Sequence, residues 1–284
     1  MVPAVCLDIV PVYHHDKVAA VMVLVVRNFG DIAAVYFGEF LHQGYLVSHL
    51  NIIGYGACMI AGYPLPAENG FLNLAVQHLR QKHPAPVDLE IVTMGGFPAT
   101  RAPKHFAKRV LVHRPDVVVL QFGSTDASAP LCNGVVLRQL LKPDPHMRKK
   151  VSPHPPAPVD GWKWRLRNLA SELLLVPPLT TLEDYAGAML DMAWQARCAN
   201  CEVVVVSPFV MASGRSNRFA REYTEALHRR LPVDGKTHFL DAHTLLSAAP
   251  RHELLLRDGF HLSPQAHQKV GTALGELLVK TCRA

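Results

Sequence analysis

The chain has 284 residues, of which 49% are hydrophobic and only 18% are charged, a balance typical of a globular protein with a large core. That length allows one large domain or one domain with an appendage. The net charge of +6 is modest, and no nucleic-acid-binding motif accompanies it, so we expect no nucleic-acid partner. The apolar run at residues 18–26 is too short to cross a bilayer, and no secretory signal is recognisable, so we expect no membrane partner.

Six cysteines are spread over the whole chain, which is not the disulfide framework of a small secreted protein. They therefore predict a reducing compartment, the cytoplasm. Cys198 and Cys201 form a single C-x-x-C without a second pair at zinc spacing, and the sixteen histidines show no ligand spacing. No P-loop lysine follows the paired glycines Gly95 and Gly96. We expect neither a metal nor a cofactor.

The first 47 residues form an appendage that is rich in β-formers. Residues 4–13, 17–26 and 32–40 each favour a strand, with turn residues between them. They predict a small antiparallel meander, which either packs on the main domain or makes a homodimer contact.

Residues 48–284 alternate between strand and helix patterns. Apolar β-branched runs predict strands that lead up to Cys58 and cover residues 87–94, 116–122, 202–206 and 237–240. Helical spacing predicts helices over residues 64–82, 104–113, 181–198, 216–230 and 264–282, with Thr181 and Ser263 as N-caps. Five strands alternating with helices predict an α/β fold with an open parallel sheet and helices on both faces. Ligands of such sheets bind at the carboxyl ends of the strands.

An insertion at residues 131–179 interrupts this alternation. Much of it is rich in proline and basic residues, and a helical pattern follows over residues 162–175. It predicts either a lid over the strand ends or an idle surface loop. Trp162 either lines a substrate pocket beneath such a lid or anchors the insertion itself.

Cys58 is the first candidate for chemistry. It follows an apolar run and a glycine-rich turn, and this pattern places a side chain at a strand end, where a nucleophile is both fixed and exposed. The alternative is a small buried cysteine that packs beneath a tight turn.

Three further pieces follow predicted strand ends or precede the last helix. Gly95-Gly96 exposes backbone N–H groups to a ligand, and Gly123-Ser124-Thr125-Asp126 places polar groups after an apolar strand. Asp258 precedes His261 by three residues, a spacing that lets a carboxylate bind the imidazole Nδ1–H and leaves Nε2 free to take a proton. In isolation, the last pair favours a capped surface turn.

Together these pieces resemble the SGNH or GDSL-type hydrolases over residues 50–282. The family's first block is Gly-Asp-Ser with a glycine four residues after the serine, where this chain has Gly56-Ala57-Cys58 and Gly62. The second-block glycine falls on Gly95. The third block, Gly-x-Asn-Asp, matches residues 123–126 except that Thr125 replaces the asparagine. The last block, Asp-x-x-His before a helix, matches residues 258–261 without change.

The resemblance implies a flavodoxin-like α/β/α sandwich with a five-stranded parallel sheet and a catalytic triad of Cys58, His261 and Asp258. It also implies an oxyanion hole formed by Cys58, Gly95 and Thr125. A thiol is more readily ionised than a hydroxyl, and a threonine in place of asparagine alters the oxyanion hole. Further substrate contacts are expected at the following residues: Gly96, Arg101, Asp126 and Trp162. An ordinary surface position is the alternative for Arg101.

Two functions remain open at this stage. The first is an ester or thioester hydrolase or acyltransferase that works through an acyl-enzyme and acts on a small acyl donor, either free or bound to a carrier. The second is a catalytically retired relative that binds a ligand or a partner, as the changes at Ala57, Cys58 and Thr125 suggest.

Overall fold

The computed structural model describes residues 5–14, 17–26, 35–39, 49–128, 169–170 and 175–282. The chain divides into two units, Met1–Val47 and Ser48–Ala284. Within the described ranges, no helix is long and apolar enough to cross a membrane. Most of the predicted insertion, including Trp162, lies outside the described residues.

The first unit contains a three-stranded antiparallel sheet. The order is β1-β2-β3, and the register pairs Val5 with Val26 and Val21 with Glu39. The strands are β1 (Val5–His14), β2 (Lys17–Val26) and β3 (Val35–Glu39). The predicted β-rich meander is confirmed.

The second unit is built on a five-stranded sheet, and all its pairings are parallel. The strands are β4 (Leu50–Gly56), β5 (Val87–Thr93), β6 (Val117–Gln121), β7 (Glu202–Val206) and β8 (Thr237–Leu240). Their order is β5-β4-β6-β7-β8, the flavodoxin-like arrangement. The predicted five-stranded parallel sheet is confirmed. The strand order reverses between β4 and β6, and the carboxyl ends of strands at such a switch point form a ligand-binding crevice.

Helices cover both faces of this sheet. The described α-helices are α1 (Phe71–Arg80), α2 (Pro103–Arg109), α3 (Ser124–Ala127), α4 (Leu182–Cys198), α5 (Gly214–Arg230), α6 (Ala242–Ser247), α7 (Arg251–Leu254) and α8 (Pro264–Thr281). Alternate residues of β6 enter two separate apolar clusters: Val118 and Leu120 pack with α2, α4 and α5, and Val117 and Val119 pack with α1 and α8. Because both faces are buried, β6 is an almost continuous apolar run.

The predicted N-caps are present. The Thr181 side chain accepts the N–H of Asp184, and the Ser263 side chain accepts the N–H of Ala266, so each satisfies a backbone donor of the first helical turn.

Two helices differ from their predicted bounds. The helix predicted from residue 64 begins at Phe71, because Pro66 and Gly70 have extended backbone and a short 3-10 helix lies between them. The helix predicted over residues 104–113 ends at Arg109, where Val110 leaves the helical region, and a 3-10 turn follows at Leu111–His113. Short helices α3, α6 and α7 were not predicted, because four to six residues carry little periodic signal.

Candidate active site

Cys58 begins a 3-10 turn, Cys58–Ala61, two residues after the last residue of β4. Gly62 closes the turn with φ of 80°, a conformation that favours glycine, and its N–H bonds to the carbonyls of Cys58 and Met59. Cys58 is half-buried, whereas Met59 and Ile60 are fully buried. The turn therefore anchors its apolar side chains in the core and leaves the thiol within reach of a ligand.

Backbone hydrogen bonds join the ends of three strands around this turn. The Ala57 N–H donates to the Gln121 carbonyl at 3.0 Å, and the Met94 N–H donates to the Gly56 carbonyl at 2.7 Å. A Cβ on Gly56 would lie 2.2 Å from the Gln121 oxygen, so only glycine allows β4 and β6 to approach this closely. The loops after β4, β5 and β6 consequently meet at one edge of the sheet.

His261 lies in a turn that Asp258 organises. The Asp258 Oδ1 accepts the N–H groups of Phe260 and His261, both at 2.9 Å. Its Oδ2 lies 2.6 Å from the His261 Nδ1. This contact assigns the ring proton to Nδ1 and leaves Nε2 pointing away from the carboxylate.

The His261 Nε2 lies 3.5 Å from the Cys58 Sγ, although the two residues are 203 positions apart in the sequence. The His261 and Asp258 side chains are each 15% exposed, so the arrangement is mostly shielded from water. Thiol, imidazole and carboxylate thus form one continuous chain of contacts. A base beside a nucleophile, itself oriented by a carboxylate, is the arrangement of nucleophilic catalysis.

The contact between His261 and Asp258 shifts the pKa of each group toward its charged form. Burial disfavours a charged imidazole, but hydrogen bonds and negative charge from Asp258 and Cys58 outweigh burial and raise the pKa of His261 to about 10. Burial likewise acts to raise the pKa of Asp258, yet its bonds to His261 and to backbone N–H groups lower it. The arrangement therefore favours a protonated His261 paired with an ionised Asp258.

Two of the expected oxyanion donors are free in the described part of the chain. Among the described residues, no backbone carbonyl accepts a hydrogen bond from the N–H of Cys58 or of Gly95. Gly95 is exposed, and Gly96 beside it has φ of 74°, which turns the chain sharply at the end of β5. Thr125 lies in α3 and is 1% exposed. The oxyanion roles of these three residues and the substrate contact of Gly96 remain predictions.

Asp126 is fully buried and holds loops together. Its Oδ1 accepts the Ala99 N–H and the Thr180 hydroxyl, both at 2.8 Å. Burial raises the pKa of Asp126 to about 6 against the opposing effect of these bonds. The carboxyl thus joins the loop after β5, the helix after β6 and the segment before α4. Its bonds support a structural part in the site and do not support the predicted substrate contact.

Arg101 is exposed, and its guanidinium lies over the ring of Phe97, 5.4 Å from the ring centroid. No described contact joins it to Cys58, Asp258 or His261. Substrate binding by Arg101 stays a prediction.

The glycine of the third block is required by its surroundings. Gly123 has φ of 117°, and a Cβ there would lie 2.4 Å from the Pro208 Cγ. We expect Gly123→Ala to reduce the free energy of unfolding by about 2–5 kcal/mol, through backbone strain and steric overlap. Urea denaturation measures the change.

Gly187 provides the matched control for this substitution. It is exposed within α4, and a Cβ there would meet nothing within 4 Å. Gly187→Ala should raise the free energy of unfolding by up to about 1 kcal/mol, because alanine favours a helix. Equal stabilities of the two variants would refute the steric argument at Gly123.

Three residues near Cys58, Asp258 and His261 were missed from the sequence. The rings of Tyr63 and Phe260 lie 5.2 Å and 5.1 Å from the His261 ring, both in T-shaped contacts. The buried His267 Nδ1 accepts the N–H of Phe71 at 3.1 Å and so satisfies a donor at the start of α1. No local pattern marks these contacts. The only hint was that Tyr63 and Phe260 lie within or next to the recognised blocks.

The described residues contain no group of three or more His, Cys, Asp or Glu side chains able to hold a metal ion. The expected absence of a metal and of a cofactor was a sequence prediction and remains one.

Comparisons with known proteins bear on the fold and on the family. A search of curated proteins found no match. A lipase/acylhydrolase from Enterococcus faecalis superposes with a TM-score of 0.56 at 17% identity, covering 81% of this chain and 95% of its own. A psychrotrophic esterase from Pseudoalteromonas sp. gives 0.54 at 13% identity, covering 83% and 100%. A catalytic mutant of an acetylxylan esterase from Geobacillus stearothermophilus gives 0.51 at 14%, covering 78% and 91%.

These structural likenesses, all at low identity, concern the fold. The sequence itself matches the family model described as the GDSL-like Lipase/Acylhydrolase family over residues 54–269, a range that includes Cys58, Asp258 and His261. That range spans most of the chain and every strand of the parallel sheet in whole or in part. The chain therefore belongs to the GDSL-like lipase/acylhydrolase family.

Proposed function

We propose that this protein is an ester or thioester hydrolase or acyltransferase that uses Cys58 as nucleophile, with His261 and Asp258, through an acyl-enzyme. The observation that carries the proposal is the pair of contacts at His261: 3.5 Å from Nε2 to the Cys58 Sγ and 2.6 Å from Nδ1 to the Asp258 Oδ2. Membership of a family of lipases and acylhydrolases supports acyl chemistry at this site.

In the first half of the reaction, the Cys58 thiolate attacks the acyl carbonyl, and a carbon–sulfur bond forms while the carbonyl π electrons move to oxygen. The N–H groups of Cys58 and Gly95, with the Thr125 hydroxyl, stabilise this oxyanion. The intermediate then collapses and breaks the bond to the leaving group. The His261 imidazolium gives its Nε2 proton to that group, and a thioester remains on Cys58.

In the second half, neutral His261 takes a proton from water or from another acceptor as that acceptor attacks the thioester. Collapse expels the Cys58 thiolate and releases the acid or the transferred product. Thiolate and imidazolium are thereby restored. Asp258 keeps the ring oriented and stabilises its positive charge throughout.

A cysteine nucleophile makes different demands on ester donors and on thioester donors. A thiolate leaves a tetrahedral intermediate more readily than an alkoxide, so an ester donor requires proton transfer to its leaving oxygen before collapse goes forward. The raised pKa of His261 supports that acid role. A thioester donor needs less help, because both of its competing leaving groups are thiols. The donor we propose is a small acyl ester or thioester, free or bound to a carrier, and its acceptor is water or a second nucleophile.

Three further elements of the proposal rest on sequence alone. The six dispersed cysteines support a cytoplasmic location. The insertion at residues 131–179 is proposed as a lid, with an idle surface loop as the alternative. The first 47 residues are proposed as a homodimer contact, with packing on the main domain as the alternative.

Acyl-enzyme formation is tested by intact-protein mass spectrometry after incubation with a panel of p-nitrophenyl esters and acyl thioesters. We expect a mass increase of one acyl group in the native protein and none in Cys58→Ala. Cys198→Ala is the matched control, since Cys198 is an exposed free thiol outside the site. It should acylate as the native protein does. The absence of both adduct and product with every donor would favour the binding-only alternative.

A further inference from the structure

The imidazole of His261 contacts two aromatic rings. The Tyr63 ring centroid is 5.2 Å away at an interplanar angle of 70°, and the Phe260 centroid is 5.1 Å away at 78°. Both are T-shaped contacts within the range that aromatic pairs prefer. The ring that bonds to Cys58 and Asp258 through its nitrogens is therefore bounded by π-systems as well.

The two aromatic residues have different origins in the chain. Phe260 is the immediate neighbour of His261 and belongs to the same turn. Tyr63 belongs to the turn of the nucleophile: its N–H donates to the Cys58 carbonyl at 3.3 Å, and it follows Gly62 directly. The Tyr63 ring is thus a side-chain contact between the turn that carries the nucleophile and the turn that carries the base.

Tyr63 also lies in the electrostatic field of the triad. Its pKa is raised, first by burial and then by the negative charges of Cys58 and Asp258. The hydroxyl therefore stays neutral and the ring stays electron-rich beside His261. No described hydrogen bond joins the Tyr63 hydroxyl to a triad residue, so the ring itself makes the contact.

The remaining groups that face His261 are limited. The Asp258 carboxylate lies at its Nδ1, and the Cys58 Sγ lies at its Nε2. His267, on α8, supplies no opposing positive charge near neutral pH, because burial and then the charge of His261 lower its pKa to about 4. T-shaped pairs of aromatic rings attract each other beyond the burial of their surfaces. His261 is 15% exposed, so this attraction acts in a largely shielded site.

We propose that Tyr63 is a positioning residue whose ring holds the His261 imidazolium against Cys58 and thereby sustains the reactive thiolate. The inference rests on the proposed nucleophilic function of Cys58. Tyr63 acts through His261: it neither attacks the acyl group nor transfers a proton.

The test compares Tyr63→Leu, which removes the ring, with Tyr63→Phe, which removes only the hydroxyl. The readout is the rate at which iodoacetamide alkylates Cys58, followed by peptide mass spectrometry across the pH range. Phe239→Leu is the matched control, because Phe239 makes a T-shaped contact with a histidine outside the site, His228, at 5.5 Å. Urea denaturation of every variant reports on folding separately.

We expect Tyr63→Leu to slow alkylation near pH 6 roughly two- to tenfold, the effect of losing one T-shaped ring contact. The acid limb of its pH profile should move to higher pH. Tyr63→Phe should restore the native profile, and Phe239→Leu should not change it. If Tyr63→Leu does not fold, Tyr63→Phe remains as the test. An acid limb that moves to higher pH in Tyr63→Phe would assign the effect to the hydroxyl and overturn the proposal.

An unchanged profile in folded Tyr63→Leu would likewise overturn the proposal while leaving the function of Cys58 intact. If the native protein itself shows no fast alkylation at Cys58, the proposed function fails first. The two failures are therefore distinguishable.

Discussion

His261→Ala should slow alkylation of Cys58 by iodoacetamide near pH 6 between about ten- and a hundredfold. An ordinary thiol, with a pKa near 8.5, is almost wholly protonated at that pH, whereas a thiolate paired with imidazolium is ionised. The lost thiolate fraction is partly offset because a more basic thiolate is a better nucleophile. Acyl turnover should fall by roughly 10⁴ in the same variant, because proton transfer to the leaving group is lost as well.

Two variants sharpen this test. Asp258→Asn keeps an acceptor for the His261 Nδ1–H but removes the charge, so its alkylation rate should lie between those of the native protein and His261→Ala. His228→Ala removes an exposed histidine of α5 that contacts only Phe239 among the described aromatic rings, and it should react at the native rate. Equal rates in all four proteins would mean that Cys58 is not activated.

The second large effect concerns stability and centres on His267. Burial lowers the pKa of His267 to about 4 in the folded protein, from about 6.5 when unfolded. Between these two pKa values, the folded state therefore binds fewer protons than the unfolded state, and the free energy of unfolding rises with pH. The contribution of His267 is complete above pH 6.5 and is lost as pH falls through 4. The shift corresponds to about 3 kcal/mol. Protonation would also end the bond from the Phe71 N–H, because Nδ1 would become a donor.

His267→Asn should flatten the dependence of unfolding free energy on pH by about 3 kcal/mol between pH 7 and pH 4. An asparagine oxygen can accept the Phe71 N–H but does not titrate. Asp126 acts in the opposite direction: its raised pKa adds stability that is present below about pH 4 and lost as pH rises through 6. Because the two effects oppose each other, the difference between native and variant is the decisive quantity, and not the native curve alone.

Urea denaturation at several pH values measures this difference. His228→Asn provides the control, since it replaces an exposed histidine. The same pH dependence in His267→Asn and in the native protein would show that His267 is not held neutral by the fold.

The fold was predictable where burial leaves a local pattern. β6 lies between two layers of helices, and its apolar run predicted a fully buried strand almost residue by residue. The helix capped by Thr181 was predicted correctly because a side-chain cap and acidic first-turn residues act locally. The start of α1 was predicted wrongly, because Gly62 and Gly70 approach each other closely and extend the turn before the helix. That approach is a tertiary contact that residue spacing does not reveal.

The candidate site was predictable in its residue types but not in its surroundings. Asp258 and His261 are three residues apart, so their hydrogen bond could be inferred from spacing. The expected substrate contact of Asp126 could not be judged without the structure, which shows a buried carboxyl bonded to Ala99 and Thr180. A polar residue after a strand can face either a ligand or the protein's own backbone, and only packing distinguishes the two.

By itself, the sequence determined the alternation of strands and helices, the buried character of the central strands and the choice of Cys58, Asp258 and His261 as candidate site residues. These properties follow from apolar periodicity and from short-range spacing, which act within one element or one turn. The tertiary structure alone decided that Cys58 and His261 meet at 3.5 Å across 203 positions and that Tyr63 packs on His261. It also decided that His267 bonds to the start of α1. Such contacts depend on strand order and helix packing, because they join segments whose separation along the chain carries no information about their distance in space.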